Sequence, residues 1–348
     1  MSHLSKLAAA LALGLMTGPV FAQSNITAEI TSPGSSNHAA IATLGELASE
    51  QGLAQFQMLE GQVLTNSLLN LVEGRTDLVA TPFMAPFLMS RGAGPYAALG
   101  PDKGAELVQN AAVLFTYRFG GTGLFSFDSS TVHGWDDLQG KNVLNGPPQG
   151  AALTTARGLI QIVTSLKDGP GYTGVQTDWG QMVKVIRDGS VDAAVLPIYV
   201  PDSRMVQASA SGNMTVFSIP KAVYESPPMK AFLTSPGNGV FEAPVAELNF
   251  PDGITVQSED DTFRLPAITG GTVVRTDMDE ELAYRLTKAY LDNLDRFENK
   301  LPLMKWVALG ATEADVTGMC GHNPLKYHPG AVRAHEEAGL ALPDCAKP

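Results

Sequence analysis

Two short loops rich in Gly, Ser and Pro carry the residue types best suited to holding a small molecule. The first reads SPGSSNH, Ser32 to His38, and the second reads GPPQGA, Gly146 to Ala151. Each lies between a strand-like run and the start of a helix-like one. A helix N-terminus offers unpaired backbone N–H groups and the positive end of the helix dipole, which suits a carboxylate or a phosphate. Ser35, Ser36, Asn37, Gln149 and Thr154 could add side-chain hydrogen bonds. The plainer alternative is that Ser36 or Asn37 only caps its helix, and that Gly146 and Gly150 only turn the chain. The same arrangement occurring twice keeps the binding alternative level with the capping one.

Other chemistry finds little support. Neither loop is a dinucleotide-binding or P-loop pattern, and the motifs G-x-S-x-G, H-E-x-x-H and C-x-x-C do not occur. A hydrolase triad is not addressed by motif absence, because its members lie apart in sequence. The six histidines are His3, His38, His133, His322, His328 and His335, and no pair has helical zinc spacing. Cys320, His322 and His328 form a C-x-H-x5-H cluster, for which a disulfide cysteine and a turn histidine are the blander account. No metal and no other cofactor is expected. Arg118, Arg75, Arg91 and Arg157 are cations that could meet an anionic ligand, although an exposed or carboxylate-paired Arg is the commoner case.

The elements that would position these loops alternate strand with helix, the pattern of an α/β fold. A strand is expected over Ile26–Thr31, then a helix with Ile41, Leu44 and Ala48 on one face. A strand over Phe56–Leu59 leads into a helix carrying Leu64, Leu68 and Leu71 that stops at Gly74, and Asp77–Thr81 is a third strand. Ala111 to Phe127 reads as long β segments broken at Gly120-Gly121, which marks a crossing into a second lobe. There the grammar repeats: strand Asn142–Leu144, loop, and a helix with Ala152, Ala156, Leu159, Val163 and Leu166. A helix around Met182 and Ile186 and strands Val191–Leu196 and Met214–Ile219 follow, whereas residues 221–265 are Pro-rich and ambiguous. Ala267–Val274 returns the chain to the first lobe, and one long helix is expected from Ala283 through Phe297. The expected organisation is therefore residues 23–118 plus 266–348 as a discontinuous lobe I and residues 119–265 as lobe II. Such lobes leave a cleft between them where small ligands sit.

Residues 1–22, MSHLSKLAAALALGLMTGPVFA, have the positive start, short apolar core and small residues at −3 and −1 of a cleaved secretion signal, with cleavage after Ala22. No Cys follows the cleavage site, so a lipid anchor is not expected. Removing Lys6 leaves 22 bases against 35 acids, a net charge near −13. An acidic chain without a Lys/Arg cluster does not suit nucleic acid or an anionic membrane surface. The two cysteines, Cys320 and Cys345, are expected to form a disulfide in an oxidising compartment and to pin the C-terminal tail.

Several segments together resemble the TAXI family of TRAP-transporter solute receptors, across roughly Ile26 to Leu340. WDDLQGKNVLNGPPQGAALTTARGLI (135–160) and VIRDGSVDAAVLPIYV (185–200) are the closest, joined by GRTDLVATPF (74–83) and, towards the C-terminus, VVRTDMDEELAYRLTKAYLDNLDRF (273–297) and YHPGAVRAHEEAGL (327–340). SPGSSNHAAIA (32–42) matches the family's first loop more loosely. The resemblance implies a two-lobed, type II-like periplasmic-binding-protein fold. It also implies a monomeric periplasmic receptor that hands a small organic, anionic ligand such as a carboxylate to TRAP membrane permease subunits, without catalysis and without inserting into the membrane. Carried over by position, it implies ligand contacts at Ser35, Ser36, Asn37 and His38; at Thr81, Pro82 and Phe83; at Pro148, Gln149, Gly150, Ala151 and Thr154; and at Leu196, Pro197, Ile198 and Tyr199. The family's paired aromatics after the first loop are replaced here by His38, Ala39 and Ala40, and Leu196-Pro197-Ile198 is bulkier than the family's small stretch, so the ligand is expected to differ. The alternatives are a ligand-sensing module for a signalling partner and a secreted enzyme on the same scaffold, as in some thiamine-pyrimidine synthases.

Overall fold

A computed structural model describes residues 24–31 and 33–348, so the expected secretion signal lies outside the described residues. Three parallel strands start the fold: β1 (Ser24–Glu29) between β2 (Ala54–Leu59) and β3 (Leu78–Pro82). β1 is followed by the Ser36–Glu50 helix and β2 by the Leu64–Val72 helix, which bury Ile41, Leu44, Leu68 and Leu71 as the 3.6-residue spacing requires.

The centre of the molecule is a pair of long antiparallel strands. β4 (Ala111–Phe127) runs as one unbroken 17-residue strand, almost wholly buried, rather than as two segments. Gly120 does not stop it, but its φ of +81° lets the strand pass the carbonyl of Ile198, which an added Cβ would approach to 2.2 Å. β5 (Asn142–Leu144), β6 (Thr173–Val175), β7 (Ala193–Ile198) and β8 (Met214–Phe217) follow. The Pro-rich region resolves into two short helices and strands β9 (Asn238–Pro244) and β10 (Ile254–Gln257). β11 (Thr262–Arg275) then pairs with β4, β3 and β9, and β12 (Lys326–Tyr327) adds to β4. The main path of the sheet is β2-β1-β3-β11-β4-β7-β5-β6.

The buried side chains divide this sheet into lobes. Residues 111–119 of β4 and Val273–Val274 of β11 pack into one core with the first helices and the C-terminal segments. Leu124 and Phe125 of β4 and Phe263, Leu265 and Ala267 of β11 pack into two further cores with β5, β7 and β8. In the first core Phe115 stacks on Tyr290 at 3.8 Å between ring centroids, and Phe297 meets Tyr290 edge-on at 5.0 Å.

The expected continuous helix from Ala283 to Phe297 is instead two, Glu280–Leu291 and Leu294–Glu298. Asn293 interrupts it: its φ of −133° is not helical, and its Nδ2 donates back to the carbonyl of Ala289. Cys320 and Cys345 are joined by a disulfide with their Cα atoms 5.5 Å apart. His328 caps the Pro329–Glu337 helix, its Nδ1 accepting from the Gly330 N–H at 3.2 Å, so two members of the C-x-H-x5-H cluster are otherwise engaged. Among the described residues no helix is long and apolar enough to cross a membrane.

Candidate functional site

Five strand-to-helix turns line one cavity: those after β2 (Val63, Leu64, Thr65) and β3 (Pro82, Met84), and three that build its polar wall. Of these three, the first joins β1 to the Ser36–Glu50 helix, the second lies between β5 and the Ala151–Thr164 helix, and the third joins β7 to the Ser203–Ser209 helix. The cavity has a volume of about 260 Å³, several times the roughly 30 Å³ share of one liquid water. Phe119 of β4 and Ile268 of β11 form the part of its wall that belongs to the crossing strands.

The first turn is tied up by its own polar groups. Asn37 Oδ1 accepts from the backbone N–H of Thr31 at 3.2 Å and from its hydroxyl at 2.8 Å, and Thr31 Oγ1 lies 2.9 Å from Ser35 Oγ. Ser35 is the N-cap, accepting from the His38 N–H at 3.2 Å. Asn37 is 1 % exposed, so with Oδ1 spent on Thr31 its Nδ2 is the end left to serve the cavity it lines. The second turn is built differently. Gly150, at φ +122°, precedes the Ala151–Thr164 helix without a side-chain cap, and Gln149, Ala151 and Ala152 line the cavity there. The opening N–H groups of that helix are thus free of side-chain acceptors, an arrangement suited to an anion. Across from it, Thr65 is 2 % exposed, and its hydroxyl has no hydrogen-bond partner among the described residues. A Cβ added to Gly150 would lie 3.7 Å from that hydroxyl.

The third turn supplies the charge. Asp202, 1 % exposed, caps the Ser203–Ser209 helix by accepting from the N–H groups of Arg204 and Met205, at 2.9 and 3.2 Å, and it also accepts from the Tyr199 N–H at 3.2 Å. The Arg204 guanidinium returns to the same carboxylate, Nη2 at 2.7 Å and Nε at 3.2 Å, and Nη2 also donates to the Pro197 carbonyl. It lies over the Trp179 ring, 5.4 Å from the centroid. Burial works against the charge of Arg204, but the charge and hydrogen bonds of Asp202 outweigh it and hold the pKa above its ordinary value. The remaining nitrogen, Nη1, is left for the cavity. Tyr199, chiefly through burial, is held well above its usual pKa and serves as a neutral hydroxyl. Among the described residues no Asp, Glu, Lys or His lines the cavity.

The residues expected at the site divide by backbone geometry. Ser35, Asn37, Pro82, Gln149, Gly150, Ala151, Pro197 and Tyr199 line the cavity. Ser36, His38, Thr81, Phe83, Pro148, Thr154, Leu196 and Ile198 do not line it. Strand alternation turns Leu196 and Ile198 into the core while Pro197 and Tyr199 face the cleft. Thr81 and Phe83 are likewise fully buried on either side of Pro82. Ser36 is buried against the Tyr199 phenol, and His38 points outward to Glu60, Nε2 to Oε1 at 3.0 Å. Thr154 is exposed and donates back to the Gly150 carbonyl, while Thr155, one position on, faces the cavity. The four arginines considered from sequence all lie off the cavity: Arg75 pairs with Glu73, Arg157 with Asp168, Arg91 lies over Phe87, and Arg118 is packed at the crossing. Arg204, Trp179, Thr65 and Met84 were not among the expected contacts. The segment Pro201-Asp202-Ser203 after β7 is the signal that would have found Arg204, because it repeats the strand, turn and cap pattern of the first loop.

Residues 108–339 of the chain match the NMT1-like family. No curated protein matches the sequence. Among solved structures, the ligand-binding component of an ABC-type import system from Staphylococcus aureus superposes with a TM-score of 0.51 at 9% identity, over 94% of this chain and 97% of that one. A TRAP periplasmic solute-binding protein from Ralstonia eutropha, bound to (S)-2-acetolactate, gives 0.46 at 10% identity over 92% and 87%. The ectoine-binding protein of a TRAP transporter from Halomonas elongata gives 0.44 at 11% identity over 90% of each chain. The first of these carries the fold alone, the two-lobed α/β fold of binding proteins. The other two are likenesses of lower score.

Proposed function

The chain belongs to the NMT1-like family, and from that premise we propose that it is an extracytoplasmic solute receptor of the TAXI type that delivers a small organic anion to a TRAP membrane permease. The observation that carries this reading is the cavity where five strand-to-helix turns meet against both long central strands. On this reading residues 23–118 with 266–348 form one lobe, residues 119–265 form the other, and the ligand is held between them. The contacts assigned to it are Ser35, Asn37, Pro82, Gln149, Gly150, Ala151, Pro197 and Tyr199, with Thr65, Trp179 and Arg204 added from the geometry. Residues 1–22 direct export to the periplasm. On this reading the site captures its ligand without transforming it; among the described residues the lining carries no carboxylate or imidazole, and Arg204 is paired with Asp202.

Native mass spectrometry of the purified protein tests this directly. A retained small molecule that leaves on denaturation is the expected result. A ligand present at a hundredfold excess over its Kd stabilises the folded state by about 2.7 kcal/mol. A protein that retains nothing, and whose melting is unmoved by a broad library of carboxylates, sulfonates, amino acids and sugar acids, would refute the receptor reading. Transport is tested separately, by co-purification with TRAP permease subunits.

A further inference from the structure

We propose that the cleft selects an organic ligand with one anionic oxyanion head and an apolar body, and rejects ligands that carry an ammonium or a second negative charge. This rests on the receptor reading above and deepens it. The charge available to a ligand follows from the wall. Arg204 and the buried Asp202 cancel each other, so the side chains contribute no net charge. What remains are helix starts: the Ser36–Glu50 start is already capped by Ser35, while those of Leu64–Val72 and Ala151–Thr164 have no side-chain cap and are each equivalent to roughly half a positive charge. The two uncapped termini match one negative charge and leave a second one uncompensated.

The hydrogen-bond inventory points the same way. The Ala151–Thr164 helix start has no side-chain cap, Asn37 offers Nδ2, Arg204 offers Nη1, and the buried Thr65 hydroxyl opposite Gly150 has no partner among the described residues. These are donors placed for an oxyanion. An ammonium would find no carboxylate among the described residues of the wall, and Asp202, which holds Arg204 there, already accepts five hydrogen bonds. Val63, Leu64, Met84, Phe119, Val183 and Ile268 give the lining an apolar stretch, beside the uncharged polar Gln149, Thr155, Tyr199, Ser203 and Gln207. An apolar body buries against the six, whereas a second charged end would lose its water without a counter-charge.

The test is a matched series measured by calorimetry and thermal shift on the purified protein. Hexanoate and 1-hexanesulfonate are set against norleucine, adipate and hexanamide, and phenylacetate against phenylglycine and phenylacetamide. In at least one skeleton the monoanion is expected to bind at least tenfold more tightly than the matched amino acid, diacid and amide. The sulfonate arm distinguishes which oxyanion head is preferred. Arg204→Lys, which keeps a cation beside Asp202 but has no second arm, is expected to weaken the monoanion at least tenfold and to fold normally. Unchanged affinity in that variant overturns the assigned head-group contact. Equal or tighter binding of the amino acid or diacid, or a natural ligand of either kind retained in native mass spectrometry, overturns the charge class while leaving the receptor reading intact. Silence of every monoanion in both skeletons also overturns the class. Only the absence of any retained or library ligand strikes at the receptor reading itself.

Discussion

The Arg204–Asp202 pair makes an asymmetric prediction about stability. Asp202 is almost fully buried and holds its charge with three backbone N–H groups and two guanidinium nitrogens. Arg204→Gln removes the counter-charge and leaves the carboxylate buried. Breaking a buried pair this way costs about 3–5 kcal/mol, and the three surviving backbone donors place this case near 3. Asp202→Asn is milder. Its amide oxygen still accepts from the helix N–H groups, and the Arg204 side chain, 18% exposed, can hydrate through the cavity. A loss of about 1–2 kcal/mol is expected for it. The double variant removes both charges, so it should cost less than the sum of the singles by about 2 kcal/mol, within the range for residues in contact. Urea unfolding followed by circular dichroism, with all four proteins in one buffer and no added ligand, gives the cycle. If Arg204→Gln costs under 1 kcal/mol, or if the two single losses simply add, the carboxylate is not held as described and the charge argument for the cleft collapses with it.

Gly120→Ala should be severely destabilising or insoluble, because the left-handed backbone and the Ile198 carbonyl both exclude a Cβ; Gly134→Ala, at an extended φ with nothing within 4 Å, should stay within about 0.5 kcal/mol of the parent by the same unfolding assay. Hydrogen bonds from Arg264 hold the Asp260 carboxyl down at about 2, so its contribution is present above the ordinary carboxylate pKa and is lost as pH falls from about 4 to 2. Asp260→Asn should flatten that part of the acid unfolding curve, and an unchanged curve would count against the pair. Removing the Cys320–Cys345 link by double substitution to Ser, across a separation of 25 residues, should cost about 3.5 kcal/mol in the chain-entropy account. A loss below 1 kcal/mol in the urea midpoint would show that the tail is pinned by packing alone.

The order of strands and helices was legible because most elements bury one face and so repeat at 2 or 3.6 residues, as Leu64, Leu68 and Leu71 do. The breaks were less legible where local polar chemistry competes with periodicity. Asn293 sits in an apolar register that continues to Phe297, and there the backbone leaves the helix while the side chain bonds to the Ala289 carbonyl. Gly120-Gly121 reads as a break in sequence, yet β4 continues through it as one strand, with a bulge against β11 between Arg118 and Gly121 and the pairing to β7 starting at Gly121.

The site was legible as loops but not as side chains, and the reason is the same period of two. A resemblance carried over as a block names Leu196, Pro197, Ile198 and Tyr199 together, whereas a strand can offer only alternate members to a cleft. The residue that sets the charge lay outside any block. Arg204 is placed by Asp202, which holds it with one carboxylate while capping a helix with the same oxygens. In sequence Asp202 reads as an ordinary cap. Its second role requires the chain to have folded back, so that Arg204 reaches the Pro197 carbonyl, with Trp179 beneath the guanidinium. That is a property of the assembled turn, and it is why the ligand's charge could be argued only after the turns were seen to meet.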